Sequence, residues 1–203
     1  MAAPHAQNLT EEALEALFGA DYAAKDTMHD LTHVRRVHRA AARLAAVAGQ
    51  VCDRQVLLVG AYLHGIVYLP GRERLARRLL QDAGMPEALI DRAVEAAQES
   101  QTDAEPRTPE GIVLHDGHLL EGGRAFLLAK TLVTGAARGS TFPEIIAYWD
   151  QHVRGRYRCV LPVAQARYEE QHAFARAVFD ELTRDAGVDA GLNDQADGYP
   201  AGA

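Results

Sequence analysis

Along most of this chain the apolar positions recur every three to four residues rather than every second one, and that spacing predicts helices. In "LTEEALEALFGADYAA", residues 9–24, Leu14, Leu17 and Phe18 share one face. From 31 to 48 the stripe Val34, Val37, Ala41, Leu44 and Ala48 runs along an otherwise charged helix, with Asp30 as its N-cap and Gly49 as its stop. Asp53 caps the next segment, "RQVLLVGAYLHGIVYL". It is apolar nearly all round and predicts a central, buried helix that continues to Pro70. A short amphipathic helix around Leu75 and Leu79 stops at Gly84, and Pro86 opens another that reaches about Ser100.

"QTDAEPRTPEG" is the longest internal loop, in which Thr108 and Pro109 read as the cap and first residue of a helix through "IVLHDGHLLEG". Helical spacing returns in "RAFLLAKTLV", "PEIIAYWDQHV" and the long "LPVAQARYEEQHAFARAVFDELTRD". With no repeat or linker between these segments, the pattern predicts one all-α domain over residues 9–186. Residues 1–8 are expected to be a flexible N-terminus and 187–203 a disordered tail with little to bury.

Composition narrows the partners. A formal charge of −7, from 21 basic and 28 acidic side chains mixed along 203 residues, disfavours nucleic acid. No apolar run is long enough for a membrane helix, and "MAAPHAQNLTEE" lacks the plan of a signal peptide, so a cytoplasmic protein is expected. Cys52 and Cys159 form neither a disulfide framework nor a metal-spaced pair.

Chemistry-bearing residues gather in three of the helices. "MHDLTH" brings His29, Asp30 and His33, of which His33 shares a face with Val37 and Leu44 and points inward. His64 lies on the Leu57–Ala61 face of the central helix. "LHDGHLL" brings His115, Asp116 and His118, with Asp116 on the face of Ile112 and Leu119. A carboxylate on an apolar face needs a partner, because an isolated buried charge is expensive. Asp30 reads equally well as a plain cap, and lone histidines such as His38 and His172 are assigned no role.

The segments "HDLTHVRRVHRAAARLA", "VLLVGAYLHGI" and "TPEGIVLHDGHLLEGGRAFLLAKTLV", in that order, resemble the HD-domain superfamily of metal-dependent phosphohydrolases. The similarity is greatest to its small bacterial branch and runs from about Ala20 to Leu182, including the late "DQHVRGRYRCVLP". It implies an HD-type helical bundle. It also implies metal ligands at His33, His64 and Asp116, and it sets Gly65 where relatives carry the aspartate of the namesake pair. The third motif, Asp-Ala-Asp in relatives, here reads Asp116-Gly117-His118, and the helix before the loop offers only Gln98, Glu99 and Ser100 toward a second metal.

Two enzymatic readings and one non-catalytic reading follow. The favoured one is a small-molecule enzyme of specialised metabolism with a degraded metal site. In it His33, His64, His118, His29 and Asp116 do acid–base chemistry: elimination, cyclisation, isomerisation or hydrolysis. Asp116 would orient a histidine, Gly65 would leave room for substrate, His115 would contact it, and Arg156 (with Arg124 as a weaker candidate) would bind an anionic group. The alternative is a residual mononuclear phosphohydrolase or oxygenase in which His33, His64 and Asp116 hold one Fe, Mn, Zn or Mg ion. His118 joins that set only if Gly117 breaks its helix. The third is a non-catalytic binding module. Tyr148, Trp149 and Tyr157 are candidates for a pocket mouth, with at least one of them in the core, and a homo-oligomer stays open.

Overall fold

Side-chain caps at Asp30, Asp53 and Thr108 start three of the helices, as the sequence predicts. The computed structural model describes residues 8–185, so the expectations for the first residues and for the tail after 186 lie outside the described residues. α1 (Glu11–Ala23) begins at Thr10, whose hydroxyl accepts from the Ala13 amide. α2 (Leu31–Ala48) begins at Asp30, which accepts from the amides of Thr32 and His33, and it ends at Gly49 in the left-handed conformation. α3 (Arg54–Leu63) is capped by Asp53, and α6 (Pro109–Leu119) by Thr108 with proline in its first turn. Between them lie α4 (Arg72–Asp82) and α5 (Glu87–Glu99). α7 (Gly123–Ala137) and α8 (Phe142–Tyr148) follow, then a π-helical turn over Trp149–Val153, and α9 (Pro162–Asp185) closes the chain. The described residues form a single all-α domain without strands.

The principal core holds Leu14, Phe18, Val37, Leu44, Tyr62, Leu80, Ile90 and Leu114, all essentially inaccessible to solvent. Burying side chains of this kind contributes about 1.5–3 kcal/mol each. α2 packs most extensively on α6, and α3 on α5. Gly117 explains the first of these pairings: a Cβ there would stand 2.8 Å from the Ala41 backbone nitrogen, so only glycine lets α6 lie that close to α2. A second, smaller core joins Trp149, Ala175 and Phe179, with Leu128 and Leu132 of α7 packed against it. Of the three late aromatics, Trp149 is therefore core. No helix of the described residues is long and apolar enough to cross a membrane.

The central helix is shorter than its hydrophobicity predicts. α3 stops at Leu63 rather than at Pro70; His64 is its C-cap and Gly65 adopts φ +85°. The carbonyls released by this early end are collected from α1 and the loop after it. The Tyr22 hydroxyl lies on the carbonyls of Tyr62 (2.8 Å) and His64, and Lys25 Nζ donates to the Gly65 carbonyl at 2.7 Å. An apolar run reads alike as helix or as buried turn, because burial rather than amphipathicity sets its composition.

Candidate metal centre

Three histidines from three separate elements converge at the end of α3. His33 comes from the first turn of α2, His64 from the C-cap of α3 and His118 from the last turn of α6. Ring centroids lie 5.4 Å apart for His33–His64, 5.6 Å for His33–His118 and 4.3 Å for His64–His118. One ring nitrogen from each falls within 4.8 Å of the others.

Each imidazole is pinned through its Nδ1. His33 Nδ1 donates to Glu121 Oε2 at 2.7 Å, and Arg36 and Lys130 also bind that carboxylate. His64 Nδ1 stands 2.6 Å from Ser100 Oγ, whose own proton goes to the Ala97 carbonyl, so Ser100 accepts and His64 donates. His118 Nδ1 lies 3.2 Å from the Ser100 carbonyl, which can only accept. The same tautomer results three times, with Nε2 left as a bare lone pair. Such Nδ1–H anchoring is how ligating histidines are oriented and made more basic toward a metal.

Burial holds all three histidines well below the ordinary imidazole value. The nearby Lys130 cation pushes each in the same direction, and Lys25 adds to the effect at His33 and His64. All three are therefore neutral near pH 7, the form that binds a metal. A fourth histidine, His29, has its centroid 5.5 Å from that of His33 and is tied by Nδ1 to both Asp26 carboxylate oxygens at 2.9 Å. Burial, and after it Lys130, lowers its pKa as well, with Asp26 working against both.

Asp116 is elsewhere. Its carboxylate accepts from the backbone amides of Val160 (2.9 Å) and Leu161 (2.8 Å) and from His115 Nδ1 (2.9 Å). It is fully buried in these contacts and ties the stretch before α9 to α6. The histidines brought together are thus His33, His64 and His118, and Asp116 of the expected set stands outside this group. Residues two apart on a helix point in nearly opposite directions, so α6 presents one of this pair to the site. Gly117 does not break α6, which runs on to Leu119, and its role is the close approach to α2.

Other assignments move too. His115 is buried against Asp116, away from the histidine cluster, and no longer reads as a substrate contact. Arg156 is exposed and does not line the cavity described below. Arg124 is likewise outside it, lying over the Phe174 ring and 3.9 Å from Glu170. Gly65 is not a helix-interior position, so the carboxylate of the namesake pair has no equivalent there. A Cβ built on it points to Lys25 Nζ at 2.9 Å. Glu99, which the sequence left as a remnant toward a second metal, accepts from the amides of Arg107 and Thr108 instead. Glu121, Lys130 and the Ser100 acceptor were not singled out from sequence. The available signal was spacing: Glu121 follows His118 by three residues, hence on the same helical side.

A cavity of about 230 Å³ opens from the cluster toward α7, α8 and α9. His29, His118, Glu121 and Lys130 line its polar end. Phe126, Leu127, Ile145, Tyr148, Val153 and Tyr157 form its walls, so two of the three late aromatics do reach the pocket. α7 carries no fully buried residue, because its inward side faces this space.

No family model and no curated protein matches the chain at the sequence level. Solved structures do match its fold. Bacillus subtilis YpgQ in complex with ADP superimposes with a TM-score of 0.67 at 18% identity, over 85% of this chain and 97% of that one. A protein from Lactobacillus plantarum aligns with a TM-score of 0.66 at 16% identity, covering 89% and 99%. An HD-superfamily hydrolase from Bacillus thuringiensis gives 0.64 at 19%, covering 87% and 98%. The chain has an HD-domain-like fold, and its histidine cluster lies where three helix termini of that fold meet.

Proposed function

We propose that this protein is a hydrolase-type enzyme built around one divalent ion held by His33, His64 and His118, acting on a small anionic substrate. One observation carries the reading: three neutral imidazoles, each anchored at Nδ1, bring one ring nitrogen apiece to within 4.8 Å of the others. An all-imidazole donor set suits Zn or Fe better than Mg, which prefers carboxylate and water oxygens. When bound, such an ion supplies Lewis acidity and a lowered pKa for water. The HD-superfamily hydrolase among the structural neighbours supports the hydrolytic class, and YpgQ with ADP supports an anionic ligand.

The chain's own residues do the rest. Glu121 holds the His33 ring, and Ser100 holds those of His64 and His118. Lys25, Arg36 and Lys130 surround the cluster against Glu121 and Asp26, so the local field favours an anion entering it. His29, fixed by Asp26 and facing the cavity, is placed to exchange a proton with a leaving or attacking oxygen.

A metal-free reading retains one specific support, the Glu121–His33 pair, which has the form of a carboxylate-oriented general base. The depressed pKa of His33 makes it a weak base but a ready ligand, and this favours the metal. Metal analysis by plasma mass spectrometry separates the two readings. The expected result is about one divalent ion per chain, lost in His118→Ala, with phosphomonoester or other hydrolysis abolished by a chelator and restored by Zn or Fe. Activity that persists in chelated protein and disappears in Glu121→Gln would establish the metal-free reading instead.

A further inference from the structure

Two buried polar atoms at the far end of the cavity have no partner among the described residues, Thr134 Oγ1 on α7 and His172 Nδ1 on α9. Both residues line the same cavity as His118 and Lys130. Buried polar atoms are nearly always satisfied, so an orphaned pair on residues that line one cavity calls for an explanation. The Tyr168 hydroxyl beside them, which the Tyr157 amide approaches, also lacks a well-formed hydrogen bond. The His172 ring is fixed by its neighbours: its centroid is 3.9 Å from that of Tyr168 and 6.1 Å from that of Trp149, on which it stacks. Burial lowers its pKa to about 4, so it is a neutral hydrogen-bonding group.

We propose that Thr134 and His172 form a distal subsite that hydrogen-bonds a hydroxyl or carbonyl oxygen of the substrate, whose oxyanion head lies at the histidine cluster. The body between these ends is apolar, a single ring or a short chain, because Phe126, Ile145 and Tyr157 form the walls. Thr134 lies one helical turn beyond Lys130, about 6 Å along α7, which suits a body of that length. At about 230 Å³ the space is smaller than the roughly 300 Å³ at which sites for drug-sized ligands begin. The oxyanion part of this assignment rests on the proposed function. The distal subsite stands on its own atoms.

The test is calorimetric binding to Zn-loaded full-length protein with two probe pairs, benzoate against 4-hydroxybenzoate and the non-hydrolysable phenylphosphonate against 4-hydroxyphenylphosphonate. ADP serves as the nucleotide control. The hydroxylated member of at least one pair should bind roughly tenfold tighter, about the worth of one well-placed hydrogen bond. Which pair responds distinguishes a carboxylate from a phosphate head. The preference should disappear in Thr134→Val and in His172→Phe while metal content stays at the parental level. If His172→Phe fails to fold, Thr134→Val alone decides, since it keeps shape and removes the hydroxyl's hydrogen bonding. Equal binding within both pairs, a preference that survives the substitutions, or ADP binding tighter than every acid would overturn the proposal. A parent protein that holds no metal yet keeps the hydroxyl preference would end the metal reading and sustain the subsite.

Discussion

Ser100 illustrates how much one side chain decides. It is fully buried, gives its proton to the Ala97 carbonyl, and thereby becomes an acceptor for His64, while its own carbonyl accepts from His118. Two of the three imidazoles thus take their tautomer from one residue. Ser100→Ala keeps the backbone acceptor for His118 and deletes the one for His64. We expect metal affinity to fall roughly 10- to 100-fold, the usual cost of losing an outer-shell partner, with little change in helicity. Competition with a fluorescent chelator reads the affinity, and an unchanged value would show that His64 is not a ligand. Gly65 shows the opposite dependence. Its φ of +85° is a backbone requirement of the left-handed turn after α3, at the position where the resemblance implies an aspartate. The sequence displays the missing carboxylate but not that geometry.

Among the elements, α6 carries the most contrary demands. One side sends His118 to the site, the other sends Asp116 to the amides of Val160 and Leu161, and Gly117 between them lets the helix press against Ala41 of α2. A carboxylate that satisfies two backbone amides is a structural tie. Asp116→Asn leaves one oxygen acceptor for two amides and should cost about 2 kcal/mol. Urea denaturation checks that figure, and metal content should remain at the parental level. Loss of metal without loss of stability would return Asp116 to the ligand set. α3 was legible in its start and not in its end. Asp53 announces the cap, whereas the stop at Leu63 depends on Tyr22 and Lys25 reaching the freed carbonyls from α1 and the loop after it.

At the scale of the molecule, burying several neutral histidines couples stability to pH. The folded pKa values of His33, His64 and His118 lie well below 6.5, and that of His172 falls to about 4. The unfolded chain therefore takes up protons first as pH falls, and stability rises with pH wherever it binds more of them. Stability should be full above about 6.5 and decline progressively toward the depressed folded values. Urea midpoints of metal-free protein at about pH 8 and about pH 5.5 test this, with a lower midpoint expected in acid. A flat profile would mean that the cluster is open to water. Excess Zn should raise the midpoint at the higher pH in the parent and not in His118→Ala, since a ligand that binds only the folded state stabilises it by mass action.

The amino-acid pattern by itself determined the all-α class, the caps at Asp30, Asp53 and Thr108, the inward face of His33 and the resemblance that singled out His64 and the Asp116–His118 segment. These are local matters: helix period, cap chemistry and the order of motifs are written within a few residues of one another. Only the tertiary structure decided which member of Asp116-Gly117-His118 enters the site, that Glu121 and Ser100 orient the imidazoles, and that Thr134 and His172 share a cavity with them. Those outcomes depend on how far α6 approaches α2 and on where α3 ends. Contacts between residues many positions apart fix both, and helical periodicity carries no record of them.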